Sequence, residues 1–431
     1  MRGWKCLVRG AKCYVLVPCS VLVLSASPAP ANSIEHSALR TARAARTEHS
    51  ARSTLSARAQ RVARGSPQIH VNTHPAAPAA QAVIDAALAG GTAPGISAAI
   101  VLSDRQVIAV TAGVSNRETG APMTSLDMML IGSVGKTFAA ARAVQLIEDD
   151  RLGLDDPIEK YLGSEPWFAR LPNARAITVR HLMTHTSGLV RYEFKEAFAR
   201  DLRANPDKTW EPHELLAYVF DEPAPFAPGE GWEYSDTNYI VLGMILERVH
   251  DHPYYLQVRR GLLGRMRRHR FLPSTSRELP GLIQGYTGAG DPLTGEAGPV
   301  IVDGRLIVSP QFEWTGGGFA GTPTGLARWA HLLYAGAAFQ KPESLRLMID
   351  AAVPAKLGPG TKYGLGVVVR AGTPVGEVWG HSGFFPGYLT EMIYLPERGI
   401  AIAVQVNTSD ARALGTSPLR IAYALAGIPG I

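Results

Sequence analysis

The sequence predicts an α+β fold in which both ends of the chain build one antiparallel sheet, with flanking helices and a large helical insertion at about residues 131–350. Two observations lead to this prediction. Helical patterns joined by Pro- and Gly-rich loops dominate the middle of the chain. Apolar, β-branched runs bounded by turn residues lie towards the two ends: Gly95–Leu102, Gln106–Ala112, Tyr363–Arg370, Val375–His381, Tyr388–Leu395 and Ile400–Val406. Strands at both ends around a helical middle indicate one sheet with an insertion.

The remaining elements follow from local signals in chain order. The first two strands are separated by Ser103-Asp104-Arg105, which suits a hairpin. Turns at Pro386-Gly387 and Pro396–Gly399 separate the later strands. The expected helices are a short one from Gln81, Phe138–Ile147 closed by Gly153, Tyr239–Val249, and a last one over Arg412–Ala426.

The first 31 residues have the layout of a secretory signal peptide. Four basic residues precede an apolar run from Cys13 to Leu24, and Ala29-Pro30-Ala31 fits an A-x-A cleavage site. The apolar run is short and interrupted by Pro18, so no stable membrane span is expected. The sequence therefore predicts a secreted or periplasmic protein.

Residues 32–78 are rich in Ala, Arg and Ser and are predicted to be a disordered linker, leaving 79–431 as the folded domain. All three cysteines lie before residue 20, so the folded domain has no thiol. The first 32 residues contribute +4 and residues 33–75 contribute +5, which leaves −3 for the rest of this +6 chain. A mildly acidic domain gives no electrostatic reason to expect a nucleic-acid partner.

The segment Ser133-Val134-Gly135-Lys136 breaks the usual rules for the start of a helix. Ser133 could be an ordinary N-cap of the helix that follows. A capping box would have Glu or Gln three residues later, whereas Lys136 places a cation at the positive end of the helix dipole. Residues i and i+3 share a helix face, so the Lys136 amine can reach the Ser133 hydroxyl. Burial and the dipole favour a neutral lysine, which could act as a base.

Two further segments carry candidate functional groups. Tyr234-Ser235-Asp236 could supply a helix cap at Asp236, or a tyrosine hydroxyl that relays a proton. Gly380-His381-Ser382-Gly383 could be only the end of a strand and its turn. Either segment alone would more often be structural than catalytic.

Together and in this order, the three segments resemble the serine β-lactamase and D-alanyl-D-alanine carboxypeptidase superfamily, particularly its class C and carboxypeptidase/esterase-like branch. That superfamily has Ser-x-x-Lys, Tyr-x-Asn and Lys-Thr-Gly or His-x-Gly in this order. The resemblance covers about residues 80–426. It extends to four further segments: Thr178–Leu189, Glu233–Gly243, Gly316-Gly317-Gly318 and His381–Thr390.

The resemblance implies a β-lactamase/transpeptidase-like fold and assigns a role to each matching position. Ser133 would be the acylated nucleophile and Lys136 its base. Tyr234 would protonate the leaving group, and His381 would line the cleft where other members carry lysine. The backbone N–H groups of Ser133 and Phe384 would form the oxyanion hole.

Two departures from the motifs bear on the substrate. Asp236 stands where Asn is usual, so an amide donor is replaced by a carboxylate, and Asn238 is two residues out of register. His381 in place of lysine would give a weaker, pH-dependent positive charge for a substrate carboxylate. Asp236, Ser382 and Gly383 are expected to contact substrate, and both changes make an efficient β-lactamase less expected than a peptidase or esterase.

Two other kinds of site fit the sequence poorly. His181 and His185 are four residues apart, but an H-E-x-x-H zinc helix needs Glu where Leu182 stands. No serine satisfies the G-x-S-x-G motif of α/β-hydrolases. No metal and no organic cofactor is therefore expected.

The expected activity is acyl transfer to water by a D-alanyl-D-alanine carboxypeptidase-like, penicillin-binding serine hydrolase. Its partner would be a small-molecule or peptide acyl substrate, namely a cell-wall peptide, a β-lactam or an ester. A carboxylesterase, a class C-like β-lactamase and a non-catalytic cell-wall binding protein remain alternatives.

Overall fold

The computed structural model describes residues 74–266 and 271–431. The predicted signal peptide and nearly all of the predicted linker lie outside these residues. None of the described helices is long and apolar enough to cross a membrane.

The fold is α+β, as the sequence predicts. The α-helices are α1 Ala77–Ala89, α2 Lys136–Glu148, α3 Glu159–Leu162, α4 Val179–Thr184, α5 Glu196–Ala204, α6 Pro212–Leu216, α7 Asp236–His250, α8 Tyr254–Gly261, α9 Pro323–Tyr334, α10 Pro342–Asp350 and α11 Pro418–Ala426. Short 3₁₀ helices span Gly132–Gly135, Phe168–Arg170, Ala217–Val219, Leu263–Met266, Pro310–Gly316 and Ala411–Leu414.

The strands are β1 Gly95–Val101, β2 Val107–Gly113, β3 Met129–Leu130, β4 Phe271–Pro273, β5 Tyr286–Thr287, β6 Gly298–Pro299, β7 Ile301–Val302, β8 Arg305–Leu306, β9 Phe319–Gly321, β10 Val353–Pro354, β11 Thr361–Tyr363, β12 Val368–Thr373, β13 Gly376–Phe385, β14 Tyr388–Leu395 and β15 Ile400–Val406. Eight of them form one sheet in the order β10-β11-β12-β13-β14-β15-β1-β2.

The two ends of the chain meet in the middle of this sheet. Strand β1 pairs antiparallel with β15, with Ile96 opposite Val406 and Val101 opposite Ala401. This pairing confirms that both ends of the chain build one antiparallel sheet. Because every residue of β1 and β15 is buried, the join lies inside the hydrophobic core.

Each face of the sheet packs against a different layer of helices. Met392 and Phe385 belong to the core that the sheet shares with the helical insertion. Ile393 and Val378 belong to a second core, shared with α1 and α11. Because successive residues of a strand point to opposite faces, the parity of a position on β13 or β14 decides which core its side chain enters.

Several elements differ from their predicted bounds, among them β13, which continues to Phe385 instead of ending at His381. Helix α1 begins at Ala77, four residues earlier than expected. The strand predicted over Tyr363–Arg370 is two strands, because Gly366 has a φ of +69° and any Cβ there would lie 2.3 Å from the Cβ of Ala140. The predicted last helix is a 3₁₀ turn followed by α11, which begins anew at Pro418, a residue suited to a first helical turn.

Candidate active site

Ser133 lies on the 3₁₀ turn that leads into α2, directly beside the end of β13. Gly132 has a φ of +51°, and a Cβ there would lie 2.4 Å from the carbonyl oxygen and 2.6 Å from the nitrogen of Phe384. A Cβ at Gly383 would lie 2.0 Å from the carbonyl oxygen of Ile131. Two glycines therefore let the Ser133 turn and the Phe384 backbone approach closely, which is the arrangement that the predicted oxyanion hole needs.

Lys136 is fully buried and donates three hydrogen bonds. Its Nζ donates to the Ser133 Oγ at 2.9 Å, to the Gly316 carbonyl oxygen at 2.8 Å, and to Asp236 Oδ1. An ammonium has three N–H donors, so all of them are satisfied. The structure therefore pairs Lys136 with the Asp236 carboxylate, a contact that the sequence did not predict.

The loop that carries Gly316 is held in an uncommon conformation. Trp314 has φ 37° and ψ −109°, values outside the usual regions for a residue with a side chain. The neighbouring Thr315 hydroxyl donates to the Tyr239 carbonyl oxygen at 2.6 Å, which ties the loop to α7. This contact holds in place the Gly316 carbonyl that accepts a hydrogen bond from Lys136.

Asp236 is the first residue of α7 and links two cations. Its second carboxylate oxygen accepts a hydrogen bond from Arg191 Nη2 at 3.3 Å. Burial would raise the pKa of Asp236, but Lys136 and Arg191 outweigh burial and hold that pKa below its usual range. Asp236 is therefore ionised, and an ion-pair role explains the carboxylate at a position where asparagine is usual.

Tyr234 lies over the Lys136 amine, whose Nζ is 4.9 Å from the centre of the Tyr234 ring. Its hydroxyl is buried and has no hydrogen-bond partner in the described part of the chain. Burial and then the Asp236 charge raise the pKa of Tyr234 well above its usual value, although the nearby Ser133 side chain opposes them. A hydroxyl that keeps its proton suits the predicted proton donor to the leaving group.

His381 is 2% exposed and uses both ring nitrogens within the protein. Nδ1 is 2.6 Å from the Ser382 carbonyl oxygen, which can only accept, so Nδ1 carries the proton. Nε2 then accepts from the Tyr363 hydroxyl at 2.9 Å. Burial, followed by the Lys136 charge, lowers the pKa of His381 to about 3. The prediction that His381 carries a pH-dependent positive charge is therefore wrong, because its side chain is neutral at ordinary pH.

This low pKa predicts how the stability of the protein depends on pH. Between pH 6.5 and about 3 the unfolded chain binds a proton at residue 381 that the folded protein does not bind. The free energy of unfolding should therefore fall as the pH is lowered through this range, by at most about 1.4 kcal/mol per pH unit for this one group. In His381→Gln the fall should be less steep, as measured by urea unfolding at pH 4.5, 5.5 and 6.5. Equal slopes for the two proteins would contradict this reading of His381.

Ser382 points away from the cleft, contrary to its predicted substrate contact. It lies opposite Glu391 in the sheet, on the face that packs against α1 and α11. Its hydroxyl donates to Glu391 Oε2 at 2.6 Å and accepts from Arg370 Nη2 at 3.2 Å. The reason is strand parity, because His381 and Gly383 occupy the cleft face of β13 and Ser382 must therefore take the other.

Ser382→Ala is therefore expected to affect stability more than activity. The buried Glu391 carboxylate would lose a donor, which costs about 1–3 kcal/mol of unfolding free energy. Ester kcat/KM should change by less than about threefold, since 1.4 kcal/mol of lost transition-state contact would be needed for a tenfold change. Urea unfolding and steady-state kinetics on the same preparation check both parts, and a tenfold loss of kcat/KM would show that the hydroxyl reaches substrate.

A small cleft of about 60 Å³ opens beside Ser133. The residues that line it are Ser133, Arg191, Tyr192, Glu193, Phe194, Asp236, Leu293, Phe312, Glu313, Phe384, Phe385 and Pro386. Arg191, Glu193 and Glu313 were not predicted from the sequence, because they lie outside the three motifs, the first two in a loop and Glu313 on the 3₁₀ helix Pro310–Gly316. The sequence signals for them are the proximity of Arg191 and Glu193 to the Thr178–Leu189 segment and of Glu313 to Gly316-Gly317-Gly318.

His181 and His185 do not form a metal site. His181 closes a capping box with Thr178 at the start of α4, and His185 follows the end of α4 with a φ of 61°. The His185 ring packs 4.3 Å from the Tyr234 ring and 4.6 Å from the Tyr363 ring, centre to centre. Within residues 74–266 and 271–431 no three His, Cys, Asp or Glu side chains are grouped to hold a metal ion. His185 instead supports the tyrosine that covers Lys136.

Comparison with known proteins decides the family. The family model described as Beta-lactamase matches residues 80–425, most of the chain. The chain belongs to the beta-lactamase family. The members of this family are serine hydrolases, and the chain is an enzyme of this class. The predicted resemblance and fold are confirmed.

The relatives of this beta-lactamase family member differ in activity. It is 24% identical over 309 residues to penicillin-binding protein 4* of Bacillus subtilis, covering 67% of this chain and 63% of that protein. It is 32% identical over 155 residues to esterase EstB of Burkholderia gladioli, covering 33% of this chain and 37% of EstB. The chain thus spans less than two thirds of either relative.

A solved structure matches over a greater length. A D-stereospecific amidohydrolase from Streptomyces sp. has 27% sequence identity and a TM-score of 0.67, covering 80% of this chain and all of that one. The family therefore fixes the chemistry as hydrolysis and leaves the substrate to be argued from the site.

Proposed function

We propose that the protein hydrolyses amide and ester bonds of small acyl donors through an acyl-enzyme on Ser133. The observation that carries this proposal is the Ser133–Lys136 hydrogen bond of 2.9 Å, beside the glycine-built contact with Phe384. The similarity to an esterase and to a D-stereospecific amidohydrolase supports this range of bonds.

The reaction needs a neutral Lys136, so one proton must first leave the Lys136–Asp236 pair. The Ser133 Oγ then attacks the acyl carbon while its proton passes to Lys136. As the bond to the leaving group breaks, Tyr234 gives its proton to that group and regains one from Lys136. Water then attacks the ester, and its proton returns along the same route to the Ser133 oxygen.

A D-alanyl-D-alanine carboxypeptidase that binds penicillin is the second candidate, favoured by the similarity to penicillin-binding protein 4*. Such an enzyme must bind a terminal carboxylate. Neutral His381 does not offer a positive charge, but the Arg191 guanidinium lines the cleft and could do so. Because two carboxylates already contact Arg191, we rank this activity below general amide and ester hydrolysis. Export to the periplasm or medium would suit either activity.

Two substrates separate the candidates. Hydrolysis of p-nitrophenyl acetate should exceed release of D-alanine from a D-alanyl-D-alanine peptide, in kcat/KM, at pH 7–8. Both rates should disappear in Ser133→Ala. Faster release of D-alanine than of nitrophenol would reverse the ranking, and ester turnover that survives Ser133→Ala would contradict the proposed nucleophile.

A further inference from the structure

The cleft beside Ser133 contains more carboxyl groups than cations. Lys136 forms an ion pair with Asp236, and Arg191 Nε lies 2.5 Å from Glu193 Oε1. These two pairs use both cations that meet at the cleft. Glu313, which also lines it, forms no ion pair with any residue of the described ranges. With all three carboxyl groups ionised, the cleft would carry one uncompensated negative charge.

The two glutamates hold unused acceptor atoms in this cleft. Glu193 is 6% exposed, and its Oε2 is buried without a hydrogen-bond partner among residues 74–266 and 271–431. Oε2 of Glu313 is also buried and has no hydrogen-bond partner within the described residues. A side-chain hydrogen bond with Asp236 helps to raise the pKa of Glu193, so the Glu193 carboxyl already shares a proton with Asp236. Oε2 of Glu313 is therefore the acceptor that lacks a donor, and buried carboxyl oxygens normally have one.

The Glu313 carboxyl packs directly against the backbone of Gly317. A Cβ at Gly317 would lie 2.5 Å from the carboxyl carbon and from Oε1 of Glu313. The carboxyl therefore fills the space that a side chain at 317 would need, next to the Gly316 carbonyl that accepts from Lys136. Burial, and then the Asp236 charge, raises the pKa of Glu313 to about 8, and the same two causes raise the pKa of Glu193 well above its usual value. Both pKa values are raised, as expected where carboxyl groups outnumber cations, and a bound cation would lower them again.

We propose that Glu193 and Glu313 form an ammonium-binding subsite, which selects substrates with a free amino group next to the scissile carbonyl. The inference rests on the proposed hydrolysis at Ser133 and names its substrate class, aminoacyl amides and esters. Glu193, Glu313 and Ser133 line the same small cleft, so an ammonium group held by the glutamates lies close to the carbonyl that Ser133 attacks. Leu293, Phe312 and Phe384 give the same cleft an apolar wall for an aminoacyl side chain.

The test is competition against hydrolysis of p-nitrophenyl acetate, a substrate without an amine. D-Alaninamide and N-acetyl-D-alaninamide are compared as inhibitors at pH 7.5, in wild type, Glu313→Gln, Glu193→Gln and the control Glu343→Gln. Glu343 is an exposed residue of α10. The free amine should inhibit wild type and the control at least about tenfold more strongly than the acetylated compound, the effect of one charge-assisted hydrogen bond.

In Glu313→Gln and Glu193→Gln this preference should fall towards one; because it is the ratio of two inhibition constants measured in the same variant, it does not depend on how far ester kcat changes. Equal inhibition by the two compounds in wild type, or a preference that survives in both variants, would overturn the subsite. Thermal unfolding shows whether each variant is folded. If one glutamate variant is misfolded, the inhibition ratio of the other variant tests the subsite. The proposed function fails separately, if hydrolysis of p-nitrophenyl acetate persists in Ser133→Ala.

Discussion

Ser133→Ala is expected to lower kcat for p-nitrophenyl acetate by about 10⁴-fold or more, to near the uncatalysed rate, because the variant lacks the hydroxyl that the proposed mechanism acylates. Since Ser133 lies on a 3₁₀ turn and its hydroxyl accepts one hydrogen bond from Lys136, the loss of stability should be about 1 kcal/mol. Steady-state kinetics and urea unfolding measure the two effects.

The matched control for this prediction is Ser164→Ala, at an exposed serine remote from the three motifs. It should leave both quantities unchanged within about 0.5 kcal/mol. A Ser133→Ala variant with more than a tenth of the wild-type kcat would mean that another nucleophile carries the reaction.

Lys136→Met is expected to lower kcat by about 10³-fold or more and also to destabilise the protein by about 3–5 kcal/mol. Activity falls because Ser133 loses its proton acceptor. Stability falls because the Asp236 carboxylate, which is 16% exposed, loses its close ion pair with Lys136 and keeps the longer contact with Arg191. Kinetics and urea unfolding again separate the two quantities.

The double variant Lys136→Met/Asp236→Asn distinguishes the two roles of Lys136. Removing the carboxylate should restore most of the lost stability, because the unpaired charge is gone, while kcat should stay as low as in Lys136→Met. Recovery of activity together with stability would show that Lys136 matters for folding and not for chemistry.

The sequence predicts the fold well because the sheet is defined by local patterns. The runs of β15 and β14 alternate or stay apolar over their whole length, and the observed bounds Ile400–Val406 and Tyr388–Leu395 equal the predicted ones. Where a tertiary contact overrides the local pattern, the prediction is wrong. The strand break at Gly366 depends on the approach of α2, which no local signal reveals.

The sequence predicts those contacts of the site that lie within a single motif, and not the contacts between residues far apart in the chain. Ser-x-x-Lys implies the Ser133–Lys136 contact, since both residues lie within one helical turn. The ion pair with Asp236 joins residues 100 positions apart, and the neutral state of His381 depends on burial against Tyr363. Sequence periodicity carries no information about Arg191, Glu193 and Glu313. They reach the cleft from a loop and from the 3₁₀ helix Pro310–Gly316, whose positions follow from tertiary packing.

The most direct test of a Ser133 acyl-enzyme is peptide mapping by mass spectrometry, after acid quench of the reaction with p-nitrophenyl acetate and, separately, with a penicillin. The account predicts an acetyl adduct on the wild-type peptide that contains Ser133, and no such adduct in Ser133→Ala. An adduct on a different residue, or turnover of the ester by wild type without any covalent species, would contradict it.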